Sequence, residues 1–312
     1  MTSNLQNPIF TDETKAREWL EVRVWPNGPT CPHCGNADHS KIKALAGKAH
    51  RPGLYQCAEC REQFTVTVKT VFERSKIPLS KWLAALFMLT ASKKGVSAHQ
   101  IHRSLGISYK SSWFMMHRLR EAMRTGGLGP MGGTGGIVEV DETYFGKQEG
   151  HTKESRQGHM NVILTLVERG GSARSFHIDG TSLAQITPVV NENIKRESML
   201  MTDEAVWYKK VGKAFDSHKT VNHSLDEYVR GPVYTNTVEG YFSIFKRGMK
   251  GTYQHCKEKH LHRYLAEFDF RYSNRSGLGV NDEMRAEKLA AGISGKRLTY
   301  RRPHKVGQAT SH

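Results

Sequence analysis

Seven of the eleven residues from 126 to 136, GGLGPMGGTGG, are glycine. Glycine loses more backbone freedom on ordering than any other residue, so a run this dense suits neither a helix nor the interior of a paired strand. It predicts a hinge that divides the 312-residue chain into two halves, each long enough to bury a core. There are no internal repeats, and no glycine-rich phosphate loop follows a strand. Nucleotide hydrolysis is therefore not indicated.

The front half holds four of the five cysteines, as Cys31-Pro-His-Cys34 and Cys57-Ala-Glu-Cys60, with twenty-two residues between the pairs. Two short knuckles, each offering two thiolates, suit a tetrahedral zinc ion, and four thiolates leave no open position, so the metal is expected to be structural. Disulfides are the competing reading, and a reducing cytosol argues against them. His33, His39 and His50 are substitute ligands of lower rank. A loop near residues 44–53 absorbs the gap between knuckles, and the alternating Phe64-Thr-Val-Thr-Val predicts the strand that ends the ribbon's hairpin.

Leu79, Trp82, Leu83, Leu86 and Leu89 recur at helical spacing. A second helix is predicted from Ser97 to Leu105, stopped by Gly106, and a third after Ser108, with Trp113, Met116, Leu119 and Met123 on one face. Helix, glycine turn, helix is the outline of a helix-turn-helix, whose second helix enters the major groove. Lys110, Ser111, Ser112, His117 and Arg118 are the expected DNA contacts, beside Tyr109. An ordinary three-helix packing unit is the competing reading.

Beyond the glycines, strands are predicted at 137–141, 161–167, 175–178, 198–202 and 218–221, with helices at 183–194 and 206–215 and a long one from Asn236. Three strands, helix, strand, helix, strand, helix is the ribonuclease H-like order. It sets Asp141, at the end of the first strand, beside Asp203, after the fourth. Glu239 lies thirty-five residues beyond Asp203, and Lys246 seven beyond Glu239. Carboxylates so placed can hold two magnesium ions, which stabilise the attacking and leaving oxygens of an in-line phosphodiester displacement. Glu142 and Glu204 compete with their neighbouring aspartates. For Glu239 the rival is a capping box, because Asn236 precedes it by three residues. Cys256, His260 and their neighbours His255 and His262 read as phosphate contacts rather than a second zinc site, and Tyr264, Phe268, Phe270 and Tyr272 as core.

Lys plus Arg number 46 against 30 Asp plus Glu, a formal charge of +16. That excess fits a polyanionic partner, DNA, through phosphate contacts and counterion release. Lys296, Arg297, Arg301, Arg302 and Lys305 place a basic tail at the C-terminus. No stretch reaches the ~18 apolar residues of a membrane span. The opening MTSNLQNPIFTDETK has no signal-peptide pattern, so a cytoplasmic protein, nucleoid-associated when on DNA, is expected.

The motifs CPHCGN and YQCAEC, SYKSSWFMMHRLREAM, VEVDETYFGK, MTDEA, YTNTVEGYFSIFKRGMKGTY and KHLHRYLAEFDFRYSNR together resemble the DDE transposases of bacterial insertion sequences, in the zinc-ribbon group related to the Merlin superfamily. The resemblance covers nearly the whole chain. It implies an α/β architecture, a ribonuclease H-like catalytic domain with a mixed sheet and flanking helices, preceded by a zinc ribbon and a helix-turn-helix. The implied domains are an N-terminal helix and ribbon at 1–75, the helix-turn-helix at 76–125, the linker at 126–136, the catalytic domain at 137–275 and the tail at 276–312. Asp141, Asp203 and Glu239 match the metal-binding triad, for two Mg2+ or Mn2+ ions, and Lys246 the basic residue after it. Asn236 is a second contender for the third position, since some relatives use asparagine. The implied chemistry is nicking of the element's inverted-repeat ends, followed by attack of the freed 3'-hydroxyl on target DNA, by a homo-oligomer holding two ends. A zinc-ribbon regulator, or a nuclease or resolvase of the same fold that cuts without joining, are the alternatives.

Overall fold

In a computed structural model the chain is described over residues 6–124, 126–150, 159–221 and 234–299. Arg301, Arg302 and Lys305 lie outside the described residues. Helix α1 (Glu13–Val24) starts where Asp12 accepts the amides of Thr14 and Lys15. It leads to a three-stranded antiparallel sheet of β1 (Ile42–Leu45), β2 (Leu54–Cys57) and β3 (Gln63–Phe64). The expected strand over residues 64–68 stops at Phe64. Val68 donates instead to the Thr65 carbonyl and Thr70 to that of Thr67, turns that carry Val66 and Val71 into the helical core.

Helices α2 (Leu79–Ala91), α3 (Ala98–Leu105) and α4 (Tyr109–Met123) follow, close to the predicted bounds. Ser97 and Ser108 cap α3 and α4, and Gly106, at φ 58°, ends α3 in the left-handed conformation. The first amides of α2 donate to Glu13 at 2.7 and 3.0 Å, so α1 caps α2 from a distance. Leu20, Trp82, Leu86, Ile101, Met115 and Leu119 share one core.

The glycine run is not a free hinge along its whole length. Met131 is buried and exchanges backbone hydrogen bonds with Asn193 and Lys195, and the Gly133 amide donates to Ser198 Oγ at 2.9 Å. A Cβ on Gly132 would fall 2.2 Å from Ser198 Oγ. Part of the glycine content therefore serves close approach to the sheet rather than flexibility.

The second sheet holds β4 (Ile137–Phe145), β5 (Asn161–Glu168), β6 (Ala173–Ile178), β7 (Met199–Thr202) and β8 (Ser217–Thr220), in the order β6-β5-β4-β7-β8. The first three strands are antiparallel, and β7 and β8 run parallel to β4. This is the expected ribonuclease H-like arrangement. One face packs on α5 (Leu183–Asn193) and α6 (Val206–Val211), through Val138, Val140, Ile186 and Tyr208. The other packs on α7 (Asn236–Gly248) and α8 (Glu258–Ser273), through Ile163, Val238, Phe245 and Phe268. A π-helical turn (Met249–Tyr253) joins these last two helices.

The C-terminal segment departs from the expected tail. Helix α9 (Asp282–Ala291), capped by Asn281, buries Ala286, Leu289 and Ala290. Ala286 and Leu289 enter the core formed by α1 to α4. The charges of 276–299 drew attention away from this helical apolar stripe. The two halves are also tied by charge. Arg120 of α4 donates to Glu267 of α8 at 2.6 Å, with the two side chains 2% and 0% exposed, and Arg271 and Tyr253 donate to the same carboxylate.

Burial pushes the Glu267 carboxyl up, but Arg271 and Arg120 outweigh it and hold the group below its ordinary range. A carboxyl depressed in the folded state stabilises the fold above its unfolded pKa, and the contribution is lost as pH falls through the folded value. Glu267→Ala is expected to cost about 3–5 kcal/mol, because two arginines stay buried without their partner. Urea unfolding at neutral pH reads that loss, and the difference from wild type should shrink as the pH is lowered into the carboxylate range.

Candidate metal centres and nucleic-acid interface

Strand β4 pairs with β7 in parallel, with Glu139 opposite Met201. Continuing the register by two places sets Asp141 level with Asp203, which follows β7 directly. Side chains alternate along a strand. Glu139, Asp141 and Thr143 thus share the face covered by α7 and α8, while Glu142 faces α6, where Tyr208 donates to its Oε2 at 2.5 Å. Burial, then the charges of Glu142, Asp203 and Glu239, raise the Asp141 carboxyl well above its ordinary value. Burial also lifts Glu142, to about 6, with Asp203 adding to the rise. Asp203 Oδ1 accepts the Ala205 amide at 3.0 Å. Strand β4 runs four residues past Asp141, its expected end, so the carboxylates that meet here come from the middle of β4, from just after β7 and from α7. The charges of Asp203 and Glu239 disfavour that of Asp141, a repulsion that bound cations would relieve.

Helix α7 reaches this edge through a residue that sequence reasoning passed over. Glu139, fully buried, accepts the amides of Thr237 and Val238 at 2.9 and 3.0 Å and the Thr237 hydroxyl at 2.8 Å. Arg169 Nε completes the carboxylate at 2.5 Å. An anion at a helix N-terminus satisfies orphan amides and complements the helix dipole. The available signal was a lone glutamate inside the apolar Ile-Val-Glu-Val run, two residues before Asp141. Because Glu139 does the capping, the capping-box alternative does not form: Asn236 is the first helical residue, and Glu239 accepts from the Thr235 hydroxyl at 3.2 Å. Glu239 and Asn236 are both exposed. Lys246 lies in the last turn of α7, with Nζ 6.0 Å from the Phe242 ring centre.

The ligand sulfurs of Cys31, Cys34, Cys57 and Cys60 all lie within 4.8 Å of one another. Cys31 to Cys60 measures 3.6 Å and Cys34 to Cys57 3.7 Å. A tetrahedron with metal–sulfur arms of about 2.3 Å has edges of roughly 3.8 Å, so the site fits zinc, while a disulfide needs about 2.05 Å. Among the described residues this is the group that closes to a single-ion spacing. Tyr264 and Phe268 sit in the core, as expected.

The expected DNA contacts separate. Lys110 is exposed and Ser111 partly so, next to Tyr109, which is 45% exposed. Ser112, His117 and Arg118 are buried. The α4 face that carries them packs inward, with Arg118 donating to the Glu73 carbonyl and Ser112 to that of Ser108. Burial and Arg120 push the His117 imidazole down to about 2, so it is neutral and ringed by Trp113, His260 and Tyr264. Those three residues belong to packing, which the mixed polar and apolar spacing of the helix concealed.

A zinc ribbon and a helical unit ahead of a ribonuclease H-like sheet, with acids on β4 and just after β7, define a DDE transposase. The profile described as a transposase zinc-ribbon domain matches residues 11–63, and that of the ISXO2-like transposase domain matches residues 134–273. The chain thus carries both domains, in the order of a zinc-ribbon DDE transposase. An uncharacterized protein in transposable element ISH50 of Halobacterium salinarum is 25% identical over 279 residues, covering 84% of this chain and 91% of that protein. Among solved structures, a chain of the simian T-cell lymphotropic virus intasome, in complex with PP2A regulatory subunit B56 gamma, aligns at 12% identity and a TM-score of 0.28. That alignment spans 54% of this chain and 63% of the other.

Replacing Glu139 by Ala should leave the first turn of α7 without its cap. Amide exchange at Thr237 and Val238 is expected to accelerate roughly 10–100-fold, the equivalent of one or two lost buried hydrogen bonds; unchanged protection would contradict the assigned cap.

Proposed function

We propose that this transposase binds the inverted-repeat ends of its element and cuts and joins DNA strands with two divalent cations, Mg2+ or Mn2+, held by Asp141, Asp203 and Glu239. The observation that carries the reading is the convergence of these acids: Asp141 on β4 is level with Asp203 after β7, and its carboxyl, lifted first by burial and Glu142, is raised further by Asp203 and by Glu239 of α7. Three carboxylates brought together from β4, the segment after β7 and α7 would suit a pair of divalent cations. Such a pair, when bound, supplies Lewis-acid stabilisation of the attacking and leaving oxygens.

The chain's own residues do the rest. Asp141 from within β4 and Asp203 from just after β7 fix ligand oxygens, and Glu239 adds one from a helix anchored by Glu139. Glu142, engaged by Tyr208 on the opposite face, is a supporting acid rather than a ligand in this reading. Lys246, two turns along α7 from Glu239, neutralises a phosphate near the reacting strand. Tyr109, Lys110 and Ser111 present the exposed start of α4 to a DNA groove, and the four cysteines hold one structural zinc. Two ends must be brought together, so the working form is a homo-oligomer on DNA.

Purified protein is expected to join short inverted-repeat ends to a plasmid only with Mg2+ or Mn2+. Asp203→Asn should bind the ends with near wild-type affinity yet form no joined product; strand transfer by this variant at wild-type level would reject the assignment. Metal analysis should return about one zinc per chain, lost in Cys57→Ser together with thermal stability of the ribbon.

A further inference from the structure

A cavity of about 340 Å³ lies where the helical unit meets the sheet unit, and none of the three acids lines it. It is lined by the end of α2, by α7 and α8, and by the start of α9. Four cations line it, Lys93, Arg271, Arg275 and Arg285, against one acid, Asp282. Arg285 is fully engaged, by Asp282 at 2.6 Å and by the carbonyls of Asn274, Thr90 and Val280. Arg275 gives Nη1 to the Gly171 and Tyr272 carbonyls and lies over the Tyr272 ring.

Arg271 differs. Its side chain is 6% exposed and its guanidinium lies over the Phe268 ring; among the described residues only Nη1 has a hydrogen-bond partner, Glu267, while Nε and Nη2, shielded from solvent, have none. Two unpaired N–H groups on a buried guanidinium are costly, so a ligand that accepts from them has a built-in driving force. Arginine forks match the oxygens of a phosphate, and Lys93, exposed at the surface, adds a mobile point charge. The one acid of the lining, Asp282, is already paired with Arg285, and Arg271 shares Glu267 with Arg120, so the lining keeps an excess of positive charge that an anion would offset.

We propose that this cavity is a phosphate-binding site, distinct from the acid cluster, that receives one backbone phosphodiester of a DNA strand lying across both halves of the chain. The phosphate chemistry follows from the cavity itself, and only the choice of a DNA strand as its source rests on the DNA-binding function proposed above. Arg271, Arg275 and Lys93 are its positioning residues. The contact couples α2 and α9 of the helical unit to α7, the helix that carries Glu239.

The test uses the full-length, zinc-loaded protein and two substitutions that spare the buried network. Lys93→Gln removes an exposed charge. Gly277→Leu fills the cavity while keeping every charge, since a Cβ there meets nothing nearer than Arg275 Nε at 4.0 Å. Titration calorimetry with inorganic phosphate should find binding to wild type, weakened at least about tenfold in both variants, or 1.4 kcal/mol. Anisotropy with a duplex carrying the element's end, over a salt series, should find the log–log salt slope reduced by about 1 in each variant. Weakened phosphate binding with an unchanged DNA slope would reject the DNA strand as the source and assign the cavity to free phosphate or a nucleotide. Equal phosphate affinity in wild type and Gly277→Leu would overturn the site. If the wild type bound no duplex at all, the DNA function would fail while the calorimetric comparison still judged the cavity.

Discussion

One buried carboxylate joins the two parts of the acid cluster. Glu139 stands two residues before Asp141 on the same face of β4 and receives the opening amides of α7, with Arg169 closing its remaining lone pairs. Arg169 is itself fixed, donating to the Tyr234 carbonyl at 2.6 Å just ahead of the helix. The arrangement dictates where α7 begins, and Glu239 then follows within the first turn. A strand and a helix nearly a hundred residues apart thus present carboxylates to one edge without relying on the intervening chain. Leaving Glu139 charged and unpaired inside the protein would cost several kcal/mol, which makes the strand and the helix start a single energetic unit.

A second buried carboxylate orients the helical unit. Glu267 gathers Arg120 from α4 and Arg271 and Tyr253 from the sheet unit. Around it α8 serves two cores, with Phe268 facing the sheet and Phe270 touching the core of α1 to α4. Helix α9 returns the chain to that same core, and Arg285 ties it to the end of α2 through the Thr90 carbonyl. The surface that carries Lys110 is consequently held at a fixed place relative to the acids, as coordinated handling of a long DNA ligand requires.

Much of this was legible in the order of residues. Cysteine spacing located the zinc site because its geometry is local: each knuckle is a four-residue turn, and only the pairing of knuckles is long-range. Ser97, Gly106 and Ser108 marked helix limits through caps that need no tertiary information. The strand order put Asp141 beside Asp203 because alternation and length survive in sequence. The misreadings share one cause, contacts made across the chain. Phe64-Thr-Val-Thr-Val has strand alternation, yet Val66 is claimed by the helical core. Leu289 and Ala286 form a short apolar stripe whose partner lies some two hundred residues earlier, so nearby charge masked it. Ser112, His117 and Arg118 lie on the inward side of α4 because α2 and α8 cover it, and single-helix spacing does not reveal that. The glycine run read as free, since the Ser198 that receives Gly133 is sixty-five residues on.

The proposal that Asp141, Asp203 and Glu239 surround the divalent cations is tested most directly by replacing the activating ion with Fe2+ and adding ascorbate and peroxide, so that hydroxyl radicals made at the ion cut the backbone beside its ligands. Cuts are expected at three places: near Asp141 in the middle of β4, near Asp203 after β7, and in the first turn of α7 near Glu239. All three should fade with excess Mg2+ and in Asp203→Asn. Cleavage confined to other parts of the chain, or cuts at these places that persist in Asp203→Asn, would contradict the metal site.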